Sequence, residues 1–102
     1  MNPKKLKRLR RKLGDLRRSI ANMPSRKLEN FAKSLERHRA KSGSEPNWVS
    51  DILPDSKPIS IPHHSRALKK YTANNILDQL EKDLNDFEAM FSNNEERRNG
   101  DE

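Results

Sequence analysis

The stretch PISIPHHSRALKKYTANNILDQL, residues 58–80, joins a strand pattern to a helix pattern and so indicates the class of fold. Ile59, Ser60 and Ile61 alternate apolar and polar, which is the period of a half-buried strand, and Pro62 ends its hydrogen-bonding ladder. Thr72 is a natural helix N-cap. The apolar residues Leu77, Leu80, Leu84, Phe87 and Phe91 recur at spacings of three and four, and Ile76 and Met90 widen this stripe. This spacing predicts an amphipathic helix that packs on the strand.

The region before this stretch predicts a second short strand. Trp48-Val49-Ser50 is rich in strand-forming residues, and the segment LPDSKP, residues 53–58, has the composition of a hairpin turn. Two short strands need a third strand or a helix to be stable. The sequence therefore predicts a small antiparallel sheet that is covered by helices.

Two helices are predicted before the sheet. The first has one apolar stripe, again at spacings of three and four, that consists of Leu6, Leu9, Leu13, Leu16, Ile20 and Met23. Pro24 ends it. The second is predicted from Ser25, a plausible N-cap, through His38. After Ser92 the sequence contains no apolar residue, which predicts a frayed tail.

These patterns predict an α+β protein whose small antiparallel sheet packs against helices. Its organisation is predicted as a basic helical extension at 1–24, a domain at 25–92 and a disordered tail at 93–102. A chain of 102 residues has room for one domain with a modest core. The absence of cysteine excludes disulfides, thiolate metal sites and cysteine catalysis. No apolar run approaches membrane-spanning length, and we expect a cytoplasmic protein without a membrane partner.

The charge is distributed unevenly along the chain. Residues 1–41 carry fifteen Lys and Arg against three Asp and Glu, whereas residues 71–102 carry three against nine. The basic N-terminal part indicates a polyanion partner. Equally, the acidic C-terminal part could pair with the basic N-terminal part inside the fold. Both interpretations remain open from the sequence. The cations that we expect to contact the phosphates of a nucleic acid are Lys5, Arg8, Arg11, Lys12, Arg18, Arg39, Lys41, Lys69 and Lys70.

His63 and His64 are adjacent at the end of the predicted strand. Neighbouring strand residues point to opposite faces, so these two imidazoles cannot easily chelate one ion, and no metal site or cofactor is predicted. An imidazole can act as a general acid or base near neutral pH. It can also simply hydrogen-bond the loop and cap the strand.

The segment from Arg26 to Leu84 resembles the HicA family of type II toxins, which are small mRNA interferases. The resemblance rests on three motifs: an R-x-K-x-G-S turn, a strand that ends in P-x-H, and a helix of the form T-x-x-x-I-L-x-Q-L. In this chain the motif residues are, in order, Arg39, Lys41, Gly43 and Ser44, then Pro62 and His64, then Thr72, Ile76, Leu77, Gln79 and Leu80. The resemblance implies a double-stranded-RNA-binding-like fold, in which a helix is followed by a three-stranded antiparallel sheet and a closing helix. It also implies an RNA partner, metal-independent endoribonuclease activity and a HicB-like antitoxin.

The chain departs from the family pattern at Glu45, where typical members have the catalytic histidine. If the family chemistry is retained, the resemblance implies His64, or else His63, as the acid and Glu45 as the base. The alternative is that the chain keeps the RNA-binding fold and has lost the chemistry, and we expect binding rather than cleavage. A different class of function is a helical protein–protein interaction module. The heptad-like spacing of residues 6–23 and 77–91 would let those helices form an antiparallel pair or the seam of a homo-oligomer.

Overall fold

The computed structural model describes residues 1–41, 46–53, 55–63 and 66–100. Within them the chain forms three helices and one three-stranded antiparallel sheet, which confirms the predicted α+β class. In chain order the elements are α1 (Pro3–Arg18), α2 (Ser25–Ser34), β1 (Arg37–Arg39), β2 (Asn47–Ser50), β3 (Ile59–Ser60) and α3 (Lys70–Gly100). The order from α2 to α3, a helix, an antiparallel sheet and a helix, is the order that the HicA resemblance implies.

Helix α1 begins at a well-formed cap. The Asn2 side chain accepts a hydrogen bond from the Lys5 backbone N–H at 2.8 Å, and Pro3 occupies the first turn, where a missing N–H costs nothing. The helix ends at Arg18, earlier than the apolar spacing predicts. Ile20 and Met23 therefore lie outside the helix, yet both are buried.

Helix α2 is shorter than predicted, and its predicted last turn is a strand instead. The helix begins at Ser25 with Pro24 as its N-cap residue, and it ends at Ser34 rather than at His38. Glu36 adopts a φ of 66°, the left-handed conformation that commonly follows a helix and is usually taken by glycine. The chain reverses there and enters β1, so His38 is a strand residue.

The sheet has the order β1-β2-β3, and each neighbouring pair is antiparallel. The strands predicted at Trp48-Val49-Ser50 and around Ile59 are confirmed, and the required third partner is β1. Trp48 lies opposite Arg39 on one side and opposite Ile59 on the other. An isolated bridge between Met23 and Leu68 ties the α1–α2 connection to the segment before α3.

Helix α3 differs from its prediction at both ends. It starts at Lys70, so Thr72 lies inside the helix rather than at its N-cap. It continues to Gly100, whereas the sequence predicts a tail after Ser92. The sequence of this extra segment contains no proline and several good helix formers, which lets a helix propagate without an apolar face. Met90, predicted as part of the apolar stripe, is 44% exposed.

The buried apolar side chains of all three helices and of the sheet belong to one hydrophobic cluster. It contains Trp48, Ile59 and Ile61 together with Leu77, Leu80 and Leu84, so the predicted packing of the last helix on the strand is confirmed. It also contains the four leucines of α1, which packs on α3. None of the helices in the described ranges is both long enough and apolar enough to cross a membrane.

A buried ion pair crosses this core. Arg37 of β1 contacts Asp83 of α3 through Nε–Oδ2 at 2.5 Å and Nη2–Oδ1 at 3.0 Å, and both side chains are almost fully buried. Arg37 Nη1 also donates to the backbone carbonyl oxygens of Trp48 and Lys57. The Arg37 guanidinium thus links β1, β2 and the segment before β3 to α3 through charge-assisted hydrogen bonds.

Candidate functional site

An open groove of about 610 Å³ lies where helix α2 faces strands β1 and β2 and the segment after β3. We call it the α2 groove. Its lining residues are Arg26, Glu29, Asn30, Lys33, His38, Arg39, Trp48 and His63. Three of these are cations, two are histidines and one is a carboxylate, so the groove combines groups that bind phosphate with groups that transfer protons.

Glu29 and His63 form a carboxylate–imidazole pair in the α2 groove. The His63 Nδ1 lies 3.3 Å from both carboxylate oxygens of Glu29. Glu29 lies at the edge of the apolar stripe of α2, which carries its side chain to 12% exposure, while the His63 side chain remains 66% exposed. A buried carboxylate therefore holds an accessible imidazole by one ring nitrogen.

A second carboxylate–imidazole pair involves His38, and its carboxylate, Asp51, is not part of the groove lining. His38 Nδ1 lies 2.9 Å from Asp51 Oδ2, and both side chains are substantially exposed. The antiparallel register places His38 opposite Val49, so the end of β2 brings Asp51 close to it. The pairing depends on β1 being a strand, because a helix through residue 38 would not form this register.

The remaining groove residues give it a positive charge and an aromatic wall. Lys33 Nζ lies 5.9 Å from the centre of the Trp48 ring, within the range of a cation–π interaction. Arg26 and Arg39 are exposed. The Trp48 Nε1 is buried and finds no hydrogen-bond partner among the described residues.

Two arginines of α1 form ion pairs with acidic residues of α3. Arg10 contacts Glu81 and Glu88 of α3 at 3.2 and 2.8 Å, and Arg17 contacts Asp78 and Glu81 at 2.7 and 3.0 Å. The earlier residue of α1 thus meets the later part of α3, so the two helices run antiparallel.

The charge of Arg17 is favoured by these contacts. Burial lowers the pKa of Arg17, but the hydrogen bonds and Coulomb attraction of Asp78, followed by those of Glu81, outweigh it and raise the pKa above its ordinary value. Because arginine is already fully charged at neutral pH, this shift strengthens the helix pair without making it sensitive to pH.

The other side of α1 carries exposed cations that form no ion pair within the described part of the chain. We call this surface the α1 ridge, and it consists of Lys4, Lys7, Arg8, Arg11 and Lys12. All five are exposed, and within the described part of the chain none of them forms an ion pair or a side-chain hydrogen bond. Two neighbours differ: Lys5 pairs with Glu36 at 3.2 Å, and Arg18 pairs with Asp15.

The residues predicted from the sequence as functional fall into separate places. His63 and Arg39 meet in the α2 groove. Lys41 follows β1, and Lys69 and Lys70 are exposed where α3 begins. The predicted catalytic residues His64 and Glu45 lie outside the described residues, so their roles stay predictions.

Six groove residues were not predicted as functional: Arg26, Glu29, Asn30, Lys33, His38 and Trp48. Glu29 left a signal in the sequence, because it is one of three acidic residues among the first forty-one and it borders an apolar stripe. A lone carboxylate at the edge of a buried face needs a partner. Lys33 and His38 left no comparable signal.

In the described ranges, no group of three or more His, Asp or Glu side chains is placed to hold a metal ion. Comparison of the chain with known protein families, with curated proteins and with solved structures finds no match. We therefore base the proposed function on the α2 groove and the α1 ridge.

Proposed function

We propose that this protein binds RNA, with the α2 groove as the main contact surface. The observation that carries the proposal is the meeting of Arg26, Lys33 and Arg39 around Trp48 in one open groove. Cations supply phosphate contacts whose strength falls with salt, and exposed histidine and arginine side chains offer surfaces on which unpaired bases stack. Single-stranded segments fit such a groove best, because their bases are free to enter it.

The α1 ridge extends the same interaction. Its five cations have no partners among the described residues, although the acidic residues of α3 already neutralise Arg10 and Arg17. A solvated ridge of one sign attracts a polyanion without reading its sequence. We assign it a supporting role in phosphate binding.

We further propose that the protein is the HicA-like component of a toxin–antitoxin module, acts in the cytoplasm and is neutralised by a HicB-like antitoxin. The support is the motif resemblance together with the α2-β1-β2-β3-α3 order. An adjacent reading frame for a small HicB-like protein, and rescue of growth when the two are expressed together, would test this part. Growth that is unaffected by the protein alone would count against a toxin.

A helical protein–protein interaction module is the second candidate considered from the sequence. Its two heptad-like helices do pair, basic against acidic, but they pair within one chain. The α1 leucines and the α3 leucines are buried in that contact and in the core, so these faces are not available as a seam between copies. This observation favours RNA as the partner.

The groove is tested by a double variant. Lys33→Gln with Arg39→Gln should weaken binding to a labelled single-stranded RNA and flatten its salt dependence, because two phosphate contacts are removed. The log–log salt slope, measured by fluorescence anisotropy over a range of KCl concentrations, should fall by roughly 1.4, about 0.7 per contact.

The matched control is Lys57→Gln with Lys82→Gln. Both lysines are exposed and line a different depression, beside Arg37 and Asp83, so this variant removes the same charge from another surface. It should change the slope much less than the groove variant does. Equal slopes for the two variants would mean that RNA binding reflects net charge and not the groove.

The α1 ridge needs its own variant. Arg8→Gln, Arg11→Gln and Lys12→Gln together should lower the salt slope by up to roughly 2, again at about 0.7 per phosphate contact. Arg18 is left intact because it pairs with Asp15. An unchanged slope would show that the α1 ridge faces a protein or solvent rather than RNA.

A further inference from the structure

Tyr71 is an aromatic residue that the fold leaves in solvent. The chain has five aromatic residues. Three of them are buried and a fourth packs against the core, namely Phe31, Trp48 and Phe87, and then Phe91. Tyr71, by contrast, is 78% exposed, and within the described part of the chain its side chain forms no hydrogen bond or ring contact. The flat apolar face of this ring is therefore available to a ligand.

Exposed cations flank Tyr71. Lys69 and Lys70 precede it directly, and Arg66 lies five positions before it. All three are exposed, and none of them forms an ion pair with another described residue. One helical turn after Tyr71, on the same side of α3, Asn75 is exposed as well. We call Arg66, Lys69, Lys70 and Tyr71 together the Tyr71 surface, and it combines an aromatic face with positive charge.

The Tyr71 surface lies near the Arg26 end of the α2 groove. The bridge between Met23 and Leu68, in which the Leu68 N–H donates to the Met23 carbonyl oxygen at 2.8 Å, joins the chain before α2 to the chain before α3. Arg26 follows one side of this bridge by three residues, and Tyr71 follows the other side by three residues. Three residues span at most about 10 Å of extended chain, so one RNA strand can contact both surfaces.

We infer that Tyr71 is a platform on which one unpaired base of the bound RNA stacks, so that it selects single-stranded over double-stranded RNA. This inference rests on the proposed function, because it requires RNA in the α2 groove. The base lies on the exposed ring, and Lys69 and Lys70 contact the neighbouring phosphates. In a duplex each base is already stacked within its own strand, so a duplex gains nothing from this ring.

The surroundings of Tyr71 favour RNA over a protein as its partner. The centre of a protein–protein interface is depleted in charged residues. Here the ring is flanked by three exposed cations, and the next residue on its side of α3 is a polar asparagine. Aromatic rings beside cations that follow the phosphate backbone are the means by which proteins hold single-stranded nucleic acids.

The experiment measures the affinity of the full chain for a labelled single-stranded RNA and for a blunt-ended RNA duplex. Tyr71→Ala should weaken binding to the single strand by about 5- to 150-fold, the contribution of one stacked base, and leave binding to the duplex unchanged. Tyr71→Phe keeps the ring and should bind both RNAs as the parent does. The matched control is Met90→Ala, which removes another exposed apolar side chain of α3 and should change neither affinity.

Salt dependence distinguishes stacking from charge. Stacking on Tyr71 releases no counterions, so Tyr71→Ala should lower the affinity for the single strand without changing the log–log salt slope. Lys69→Gln with Lys70→Gln removes two phosphate contacts and should lower that slope by roughly 1.4, about 0.7 per contact. A lower slope for Tyr71→Ala would contradict a stacking role.

The stacked base is located with a series of RNAs, each of which lacks one base but keeps its sugar and phosphate. In the parent, the affinity should fall most when the base that lies on Tyr71 is missing. In Tyr71→Ala the same omission should cost nothing further, because its partner is already absent. Losses that are the same in the two proteins at every position would show that no base stacks on this ring.

The outcomes separate this inference from the proposed function. A parent that binds no RNA would overturn both. A parent and a Tyr71→Ala variant that bind the single strand equally well would overturn this inference alone, and so would equal losses for the single strand and the duplex. Because Tyr71 is exposed, we expect Tyr71→Ala to melt at the temperature of the parent, and thermal unfolding followed by circular dichroism checks that the fold is intact.

Discussion

Replacing Asp83 by asparagine is expected to lower the free energy of unfolding by about 3 to 5 kcal/mol. Asp83 and Arg37 have side-chain exposures of 3% and 1%, so the substitution leaves a guanidinium buried without its counter-ion. Two backbone carbonyl oxygens remain as its acceptors, but they carry no full charge. Folded domains are stable by only about 5 to 15 kcal/mol, so a large share of the total stability should disappear.

Urea unfolding followed by Trp48 fluorescence measures this effect. The matched control is Asp86→Asn, the same change three residues further along α3, where the carboxylate forms an exposed ion pair with Lys82. That control should alter the free energy of unfolding by less than about 1 kcal/mol. A double variant with Arg37→Met and Asp83→Leu should lose less than Asp83→Asn alone, since no charge is left unpaired. Equal midpoints for the two asparagine variants would contradict this account.

The sequence contains no indication of this ion pair, and the reason is physical. Hydrophobic periodicity identifies which face of α3 is buried, and Asp83 interrupts that face between Leu80 and Leu84. Its partner lies 46 positions earlier, in a segment predicted as helix. A pattern of local spacing cannot show which distant charge will meet a buried carboxylate.

The wrong boundary of α2 has a local cause. Helix ends are recognised by glycine or proline, and neither occurs between Leu28 and Arg39. The chain leaves the helix through a left-handed Glu36, a conformation that most residues avoid. By contrast, β2 and β3 are predicted correctly because prolines delimit them and their residues are strand formers or alternate apolar with polar.

The candidate site was predictable only in part, because several of its residues depend on partners that are distant in the sequence. Lys and Arg residues are visible in any sequence, so Arg39 could be singled out as a phosphate contact, and His63 stood out because it adjoins a second histidine. Glu29 and His38 acquire their significance from residues 34 and 13 positions away. Those pairings exist only after α2, β1 and the segment that follows β3 have come together.

Leu80→Ala should have the other large effect on stability, with a loss of about 2 to 5 kcal/mol. Leu80 has no exposed surface and belongs to the cluster in which α3 meets the sheet and the other helices, so the smaller side chain leaves a cavity that close packing cannot readily fill. The control is Met90→Ala on the same helix, where a large apolar side chain is 44% exposed, and it should change stability by less than about 0.5 kcal/mol. Thermal unfolding followed by circular dichroism distinguishes the two. If Leu80→Ala melts at the temperature of the parent, α3 does not present this face to the core, and the antiparallel packing of α1 on α3 would also have to be revised.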